Sequence, residues 1–186
     1  MLPVVLLALG VVAGVGSPRV PGDAGDPGSP AARCEALAAH LRISPRLQAV
    51  VADMCRRAPT FRRQLVRLAQ DPDLAITVEP GVFPIGGRAR AATAIARVNG
   101  GLRSADVRVR PGDSLAVVEL IGHEFEHILE QLDGVELAAW VGRSGVHRVG
   151  QDDRGPIETE RARRVGRLVA AEYASAGAET TALRVR

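Results

Sequence analysis

Apolar side chains recur at helical spacing in three consecutive segments of the N-terminal half of the chain. The spacing predicts helices over Arg33 to Leu41, Pro45 to Arg57 and Pro59 to about Gln70. Ser44 followed by Pro45 is typical of a helix N-cap and first turn. The apolar face of the second helix comprises Leu47, Val50, Val51 and Met54, and that of the third comprises Phe61, Leu65 and Leu68. The pattern therefore predicts a helical N-terminal unit.

Three later segments have the composition and alternation of strands. They are Leu74 to Glu79, Ala92 to Val98 and Ala105 to Arg110. In the last of them Val107 and Val109 alternate with arginines, which is typical of a strand with one buried face. A small sheet that follows a group of helices predicts an α+β fold.

A long amphipathic helix is predicted from roughly Leu115 to Leu132, between the turn signals Pro111-Gly112-Asp113-Ser114 and Asp133-Gly134. Its apolar stripe comprises Val118, Ile121, Phe125, Ile128, Leu129 and Leu132. His123 and His127 lie on roughly the opposite side. The core would therefore hold one side of this helix while the other side presents two imidazoles.

The chain after this helix predicts less regular structure and one further helix. Trp140, the single tryptophan, is expected in the core. A polar, glycine-rich loop follows from Gly142 to Gly155, and a last helix is predicted from about Pro156 to Ala174.

The first residues of the chain predict a targeting segment. Leu2 to Val15 is an unbroken apolar-plus-glycine run followed by small residues, as in a signal peptide, although no basic residue precedes it. We therefore expect a signal peptide over residues 1–17, a flexible linker over 18–32 and one folded domain over 33–186, with a retained anchor as the alternative to cleavage. These expectations predict a protein that is secreted, periplasmic or held at the cell surface.

Cysteine content and charge indicate the compartment of the protein and the kind of partner it binds. Cys34 and Cys55 agree with export, because an oxidising compartment permits a disulfide between the first two predicted helices; two buried free thiols are the alternative. All 24 basic residues are arginine, and the formal net charge is +3. No basic stripe interleaved with aromatic residues is present, so no nucleic-acid partner is predicted and the arginines are interpreted as solvated charges.

The chemistry of the chain concentrates on the segment His123-Glu124-Phe125-Glu126-His127. Two histidines four residues apart on a helix lie one turn above each other, so their imidazoles can converge on one metal ion. Glu124 lies beside that face, where its carboxylate would reach a water on the metal rather than the metal itself. Zinc lowers the pKa of such a water and a nearby carboxylate takes its proton. We therefore predict a catalytic zinc site with Glu124 as the general base.

A catalytic zinc site needs a third protein ligand. Asp133 has the spacing at which metzincins place theirs, but those proteins need a glycine where this chain has Glu130. Glu158 instead resembles the gluzincin arrangement, in which a glutamate early on a second helix completes the site. Ala162, one turn later, leaves room for close packing against the motif helix. Glu158 is therefore the predicted third ligand, with Glu160 and Asp133 kept as alternatives.

The resemblance to gluzincin zinc metalloproteases covers about Ala105 to Tyr173. It implies a zincin-like α+β domain with N-terminal helices, a small mixed sheet, the HExxH helix and a C-terminal ligand helix. It also implies zinc-dependent hydrolysis of peptide bonds outside the cytoplasm, with peptide or protein substrates and no stable membrane span after leader removal. The strand from Ala105 to Arg110 has the position of the edge strand that pairs with extended substrate in that superfamily.

Several residues near the predicted site have more than one interpretation. Tyr173 and His147 could stabilise an oxyanion, although packing or surface roles are favoured. Glu119 and Glu130 could be hydrogen-bond partners of the imidazoles, although solvated charges are favoured. The rival function is a secreted zinc-binding or interaction domain without turnover, in which a fourth protein ligand or a blocked metal face is expected.

Overall fold

The N-terminal helices form where the apolar spacing predicts them. The computed structural model describes residues 30–39, 41–83, 90–98, 101–135, 137–143, 145–148 and 156–184. Its first helices are α1 (Pro30–Ala38), α2 (Pro45–Arg57) and α3 (Pro59–Leu68). The predicted bounds of α2 are confirmed, and the apolar faces of α2 and α3 lie in the core. Ser44 precedes α2 as predicted, but its side chain makes no capping hydrogen bond.

The chain leaves α1 earlier than predicted. Leu41–Ile43 forms strand β1, so the prediction that the first helix extends to Leu41 was wrong. β1 pairs in parallel with β2 (Ala75–Pro80), with Leu41 opposite Ile76. Pairing with a strand distant in sequence overrides the local helical pattern here.

A disulfide joins α1 to α2, as predicted. Cys34 and Cys55 are bonded across 21 residues, and both side chains are buried. A closed loop of this length stabilises a fold by about 3 kcal/mol in the chain-entropy interpretation. Residues 1–29, which contain the predicted signal peptide and most of the predicted linker, lie outside the described residues, as does His40. No helix in the described part of the chain is both long and apolar enough to cross a membrane.

The main sheet of the described residues has four strands in the order β1, β2, β4 and β3, where β3 is Ala91–Val98 and β4 is Gly101–Val109. β1, β2 and β4 run parallel, and β3 pairs antiparallel with β4. Val107 lies opposite Val78 of β2 on one side and Thr93 of β3 on the other. The prediction that the strand from Ala105 to Arg110 forms an edge was therefore wrong, because β3 occupies that edge.

Helices cover one face of this sheet. Alternate residues of β2 and β4 point to that face and are buried, namely Ile76, Val78, Ala105, Val107 and Val109. On the other face Arg108 and Glu79 are opposite each other and form an ion pair at 3.2 Å. The buried face packs against α4 (Ser114–Leu132), and the predicted apolar stripe of α4 lies in this core. The other side of α4 packs against the C-terminal helix.

The C-terminal part contains a hairpin that the sequence did not predict. After α5 (Leu137–Trp140), β5 (Val146–Arg148) pairs antiparallel with β6 (Ile157–Thr159), and α6 (Glu160–Arg184) follows. The last helix thus begins later and ends later than predicted. Trp140 was expected in the core, but it is 43% exposed and its ring lies beneath the Arg143 guanidinium.

Candidate metal centre

Helix α4 carries the candidate site, and its N-terminal cap and its core contacts fix its position. An Asp113 carboxylate oxygen caps its N-terminus by accepting from the Ala116 N–H at 2.9 Å. On its apolar side, Phe125 contacts Phe61 of α3 with ring centroids 5.3 Å apart. Because the core fixes the rotation of the helix, the direction of its polar side is fixed as well.

Helix α6 crosses α4 closely at His123. A methyl group on Gly166 would lie 2.8 Å from the Glu119 carbonyl oxygen and 3.0 Å from Cβ of His123. A methyl group on Gly122 would lie 3.1 Å from the Val169 side chain. Ala162, predicted to permit close packing, is fully buried. Small residues at this crossing therefore bring the start of α6 against the histidine side of α4.

The two histidines and Glu158 converge, as predicted. Nε2 of His127 lies 3.1 Å from Nε2 of His123, which lies 3.3 Å from Oε2 of Glu158. The three ligand atoms all lie within 4.8 Å of one another, and the group could hold a metal ion. Two ligands of tetrahedral zinc, each about 2.0–2.1 Å from the ion, lie about 3.3–3.4 Å apart, which is close to the two distances that involve His123. Two imidazoles and one carboxylate suit zinc and some other transition metals.

A buried carboxylate orients His127. Nδ1 of His127 lies 2.9 Å from Oε2 of Glu130, which is 3% exposed. The interpretation of Glu130 as a solvated charge was therefore wrong. Donation from Nδ1 to this carboxylate leaves Nε2 of His127 unprotonated and directed at the ligand group, as metal-bound imidazoles require. Glu119, the other candidate, makes no hydrogen bond to either imidazole within the described structure.

Thr159 follows Glu158 in the chain and binds the Glu130 carboxylate. The sequence pattern did not indicate Thr159 as a site residue. Its hydroxyl donates to Oε1 of Glu130 at 2.8 Å and accepts from the Ala162 N–H at 2.9 Å. Thr159 thereby caps α6, which explains why the helix starts at Glu160 rather than near Pro156. Glu158 lies in β6, before the helix, so its predicted position on the helix was wrong although its predicted convergence with the histidines is observed.

The alternative third ligands lie elsewhere. Asp133 pairs with Arg67 at 3.1 Å and with Arg161 at 3.3 Å, and it is outside the ligand group. α4 continues past His127 to Leu132 without the sharp turn that ligation by Asp133 would need. Glu160 is exposed on the first turn of α6 and is also outside the group. The candidate centre is therefore His123, His127 and Glu158.

Glu124 lies beside the ligands but is not one of them. Its carboxylate is 5% exposed and accepts a hydrogen bond of 2.6 Å from the Thr93 hydroxyl of β3. Burial raises the pKa of Glu124, and this effect outweighs the Thr93 hydrogen bond and the nearby histidines, which lower it. A buried carboxylate with a raised pKa is suited to accept and return a proton. Thr93 could not be recognised from sequence, because only the antiparallel pairing of β3 brings it to α4.

His123 and Glu158 behave electrostatically as a pair. Burial lowers the pKa of His123, but the hydrogen bond and charge of Glu158 outweigh it, so this pKa lies above its usual range. Burial raises the pKa of Glu158, whereas the hydrogen bond and charge of His123 bring it below its usual range. An imidazolium beside a carboxylate is therefore favoured, and a metal cation would compete with that proton for the same nitrogen.

Two cavities adjoin the ligand group. One has a volume of about 550 Å³ and is lined by His127, and the other has a volume of about 460 Å³ and is lined by His123. Glu124 and Glu158 line both cavities. Several side chains of the edge strand β3 also line the larger cavity, which therefore extends from the ligand group along that strand.

The two residues considered for oxyanion stabilisation have different surroundings. His147 is exposed, lies opposite Glu158 in the hairpin and lines the cavity beside His123. Arg163 donates to its ring at 2.9 Å. Tyr173 instead packs near α2, where its hydroxyl donates to Asp53 at 3.0 Å. Only His147 adjoins the candidate centre.

Comparison with known proteins adds no family to this geometry. No protein-family model matches the chain. No match was found among curated proteins, nor among solved structures. The interpretation of the site therefore depends on the geometry and chemistry of its own residues.

Proposed function

We propose that this protein is an exported zinc metallopeptidase. The observation that carries the proposal is the convergence of His123, His127 and Glu158 next to the buried carboxylate of Glu124. Zinc held by these three ligands would lower the pKa of a water and polarise a substrate carbonyl. Other metals suit the same ligands, so the identity of the ion is part of the proposal.

Glu124 has the role of general base in this proposal. It would take a proton from the attacking water and return it to the leaving amine. Thr93 holds the carboxylate at 2.6 Å, and Glu130 fixes the imidazole of His127. The protein thus positions both the base and one metal ligand through buried hydrogen bonds before any substrate arrives.

Strand β3 supplies a surface for extended substrate. It forms the edge of the described sheet, and its side chains line the larger cavity beside Glu124. An exposed strand edge can bind a peptide through main-chain hydrogen bonds. In the proposed function, substrate therefore lies along β3 rather than along the strand from Ala105 to Arg110, for which the resemblance to gluzincins had implied this role.

Two features favour turnover over a purely structural metal. No fourth His, Cys, Asp or Glu joins the ligand group among the described residues, and two cavities reach its ligands. A structural zinc site is closed by a fourth protein ligand, whereas a catalytic site keeps a position for water or substrate. The disulfide is compatible with the proposed export.

Zinc stoichiometry of the purified protein tests the metal site. We expect close to one zinc per chain in wild type, and loss of that zinc in His123→Ala and in Glu158→Ala. Glu160→Ala is the matched control, because Glu160 is an exposed neighbour outside the ligand group. Folded wild-type protein that binds no zinc would overturn the proposal.

Hydrolysis of a mixed peptide library, followed by mass spectrometry, tests the catalytic role. Glu124→Gln removes the base but keeps the shape of the side chain and its contact with Thr93. We expect it to bind zinc like wild type and to lose at least about a hundredfold in rate, which is the usual range for a general base. A zinc-loaded wild type without activity on any peptide would favour the non-catalytic zinc-binding protein.

A further inference from the structure

Arginines line both cavities beside the candidate centre. Arg97 and Arg148 line the larger cavity, and Arg90, Arg163 and Arg167 line the smaller one. Apart from Glu124 and Glu158, which belong to the proposed site, Glu119 is the one acidic residue among the described residues that line either cavity. Arginines therefore outnumber acidic residues in the described lining of the two cavities.

The larger cavity combines apolar walls with cationic groups. Ile95, Leu137 and Ile157 line it together with Arg97 and Arg148. Arg97 donates to the side-chain and backbone oxygens of Gln131, which hold its guanidinium at the wall. Such a cavity fits a chain segment with apolar side chains and carboxylates, because apolar stems pack on the walls while the carboxylates meet the guanidinium groups.

The smaller cavity contains a cation whose hydrogen-bonding capacity is not fully used. Nε of Arg163 is buried and has no hydrogen-bond partner among the described residues, and it lies 4.0 Å from Oε2 of Glu158. Arg90 and Arg167 form no ion pair with a described acidic residue, and both side chains are exposed. Because Nε of Arg163 is itself buried, an anionic group in this cavity would meet the exposed guanidinium groups of Arg90 and Arg167.

We infer that the cavities select acidic polypeptide segments, with Asp or Glu side chains on both sides of the bond to be cleaved. The inference rests on the proposed peptidase function, for which it specifies the substrate class. Guanidinium groups pair with carboxylates in a bidentate geometry and steer anionic ligands toward a cleft. A divalent ion on the ligand group would increase the positive field further.

The cavity walls favour a polypeptide over a nucleic acid. Single-stranded nucleic acids bind basic grooves that also carry aromatic side chains on which the bases stack. No Phe, Tyr or Trp among the described residues lines either cavity. β3 is an edge strand of the described sheet and lies along the larger cavity, where it offers the main-chain pairing that an extended polypeptide can use.

A binding assay with zinc-loaded Glu124→Gln tests the inference without depending on turnover. Three short fluorescent peptides share one alanine–leucine framework and differ in carrying glutamate, glutamine or lysine at the same positions. At low ionic strength we expect the glutamate peptide to bind about tenfold more tightly than the glutamine peptide, and the lysine peptide to bind weakest. Equal affinities, or no binding by any peptide, would overturn the inference. So would a single-stranded oligonucleotide that displaces the glutamate peptide at lower concentration than the peptide itself.

Replacement of pairs of arginines by glutamine shows whether the preference for the glutamate peptide arises in the cavities. Arg97→Gln with Arg148→Gln, and Arg90→Gln with Arg167→Gln, should each reduce the preference to about threefold or less. The control is Arg42→Gln with Arg164→Gln, which removes two exposed arginines that line neither cavity. If the control reduces the preference equally, net charge is the cause and the inference fails.

Cleavage of the same peptides by wild type separates this inference from the proposed function. Cleavage without preference for the glutamate peptide would leave the proposed function standing and overturn the inference. Preferential binding of the glutamate peptide without cleavage of any peptide would support the inference and overturn the proposed function. Preferential binding together with faster cleavage of the glutamate peptide supports both.

Discussion

Helix α4 contributes to two polar clusters, and they differ in the groups that surround their carboxylates. In the first, the Glu126 network, the Glu126 carboxylate accepts from Nε2 of Gln64 at 2.9 Å and pairs with Arg161. Arg161 also pairs with Asp133, which pairs with Arg67 in turn. Each carboxylate of this network therefore has a protein cation beside it.

The second cluster, the ligand group of His123, His127 and Glu158, instead directs two ring nitrogens and a carboxylate oxygen at one point, and the Arg163 guanidinium lies 4.0 Å from that carboxylate. Two ring nitrogens lie 3.1 Å apart and a carboxylate oxygen lies 3.3 Å from one of them. A single proton can serve only part of this arrangement, whereas one metal cation can bind all three atoms. A buried carboxylate alone therefore does not identify a site on α4, whereas the convergence of two ring nitrogens and a carboxylate oxygen does.

The largest effect is expected where α6 meets α4, because this crossing supports both clusters. In Gly166→Ala the new methyl group would lie 2.8 Å from the Glu119 carbonyl oxygen and 3.0 Å from Cβ of His123. Since the contact is partly with backbone, the helices must separate. We expect a loss of about 2–3 kcal/mol in the free energy of unfolding, measured by urea titration, and weaker zinc binding.

Gly112→Ala is the control for this substitution. Its methyl group would have no neighbour within 4 Å, so stability and zinc binding should stay close to wild type. Wild-type zinc affinity in Gly166→Ala, together with wild-type stability, would contradict the close crossing.

Removal of Glu126 should affect stability while sparing the metal. Glu126→Ala leaves Arg161 with Asp133 as a partner and leaves Nε2 of Gln64 with the Gly122 carbonyl. Because Glu126 is buried, we expect a loss of about 2 kcal/mol in the free energy of unfolding. Zinc content should stay near that of wild type, since Glu126 is outside the ligand group. Loss of zinc from a folded Glu126→Ala protein would show that the two clusters are not separate.

Removal of the Glu130 carboxylate should weaken zinc binding more than it lowers stability, which is the opposite of the effect expected for Glu126→Ala. In Glu130→Gln the amide cannot accept from Nδ1 of His127 and from Thr159 as a carboxylate does, so the imidazole loses part of its orientation. We expect zinc affinity to fall about 10- to 100-fold, measured by competition with a chelator, with a smaller change in metal-free stability. Glu119→Gln is the matched control, because Glu119 makes no hydrogen bond to either imidazole in the described structure. Equal losses in both variants would contradict the orienting role of Glu130.

Much of the fold and the core of the site could be predicted from sequence, because both depend on local spacing. Helix α2 and the apolar stripe of α4 follow from residues that are near neighbours on predicted helices, and Cys34 pairs with Cys55 because the chain has no other cysteine. The histidine pair is likewise a local feature of one helix. The α+β architecture follows from the order of these elements, whereas the zincin-like assignment remains a prediction.

The remaining parts depend on contacts between distant segments, which spacing does not reveal. Ala105 to Arg110 has a clear alternating pattern, but such a pattern does not show whether a strand has one neighbouring strand or two. In the described sheet β4 lies between β2 and β3, and β3 is the edge strand. Glu158 was found through its neighbourhood in sequence, yet it lies on a strand because Thr159 caps the helix after it. Glu130 was interpreted as a solvated charge, but it is buried and accepts a hydrogen bond from Thr159, a residue 29 positions away in the sequence.

The smallest effect is expected at Asp53, a more exposed carboxylate that is balanced by donors, like the Glu126 network. Burial raises the pKa of Asp53, but hydrogen bonds from Arg56, Arg57 and Tyr173 outweigh it and bring the pKa below its usual range. Burial and the hydrogen bond to Asp53 raise the pKa of the Tyr173 hydroxyl. Tyr173→Phe removes that hydrogen bond but keeps the ring under the Arg57 guanidinium. We expect it to lower the free energy of unfolding by about 0.5–1 kcal/mol near neutral pH.

The pH dependence of this loss follows from the two shifts. A lowered Asp53 pKa contributes stability above the unfolded value of about 4, and that stability disappears as pH falls through the lower folded value. A raised Tyr173 pKa contributes stability below about pH 10, and that stability disappears as pH rises through the folded value. The difference between wild type and Tyr173→Phe should therefore be largest between about pH 5 and 9 and shrink on both sides. A difference that is constant from acid to alkaline pH would mean that the hydroxyl stabilises the fold by packing rather than through its bond to the Asp53 carboxylate.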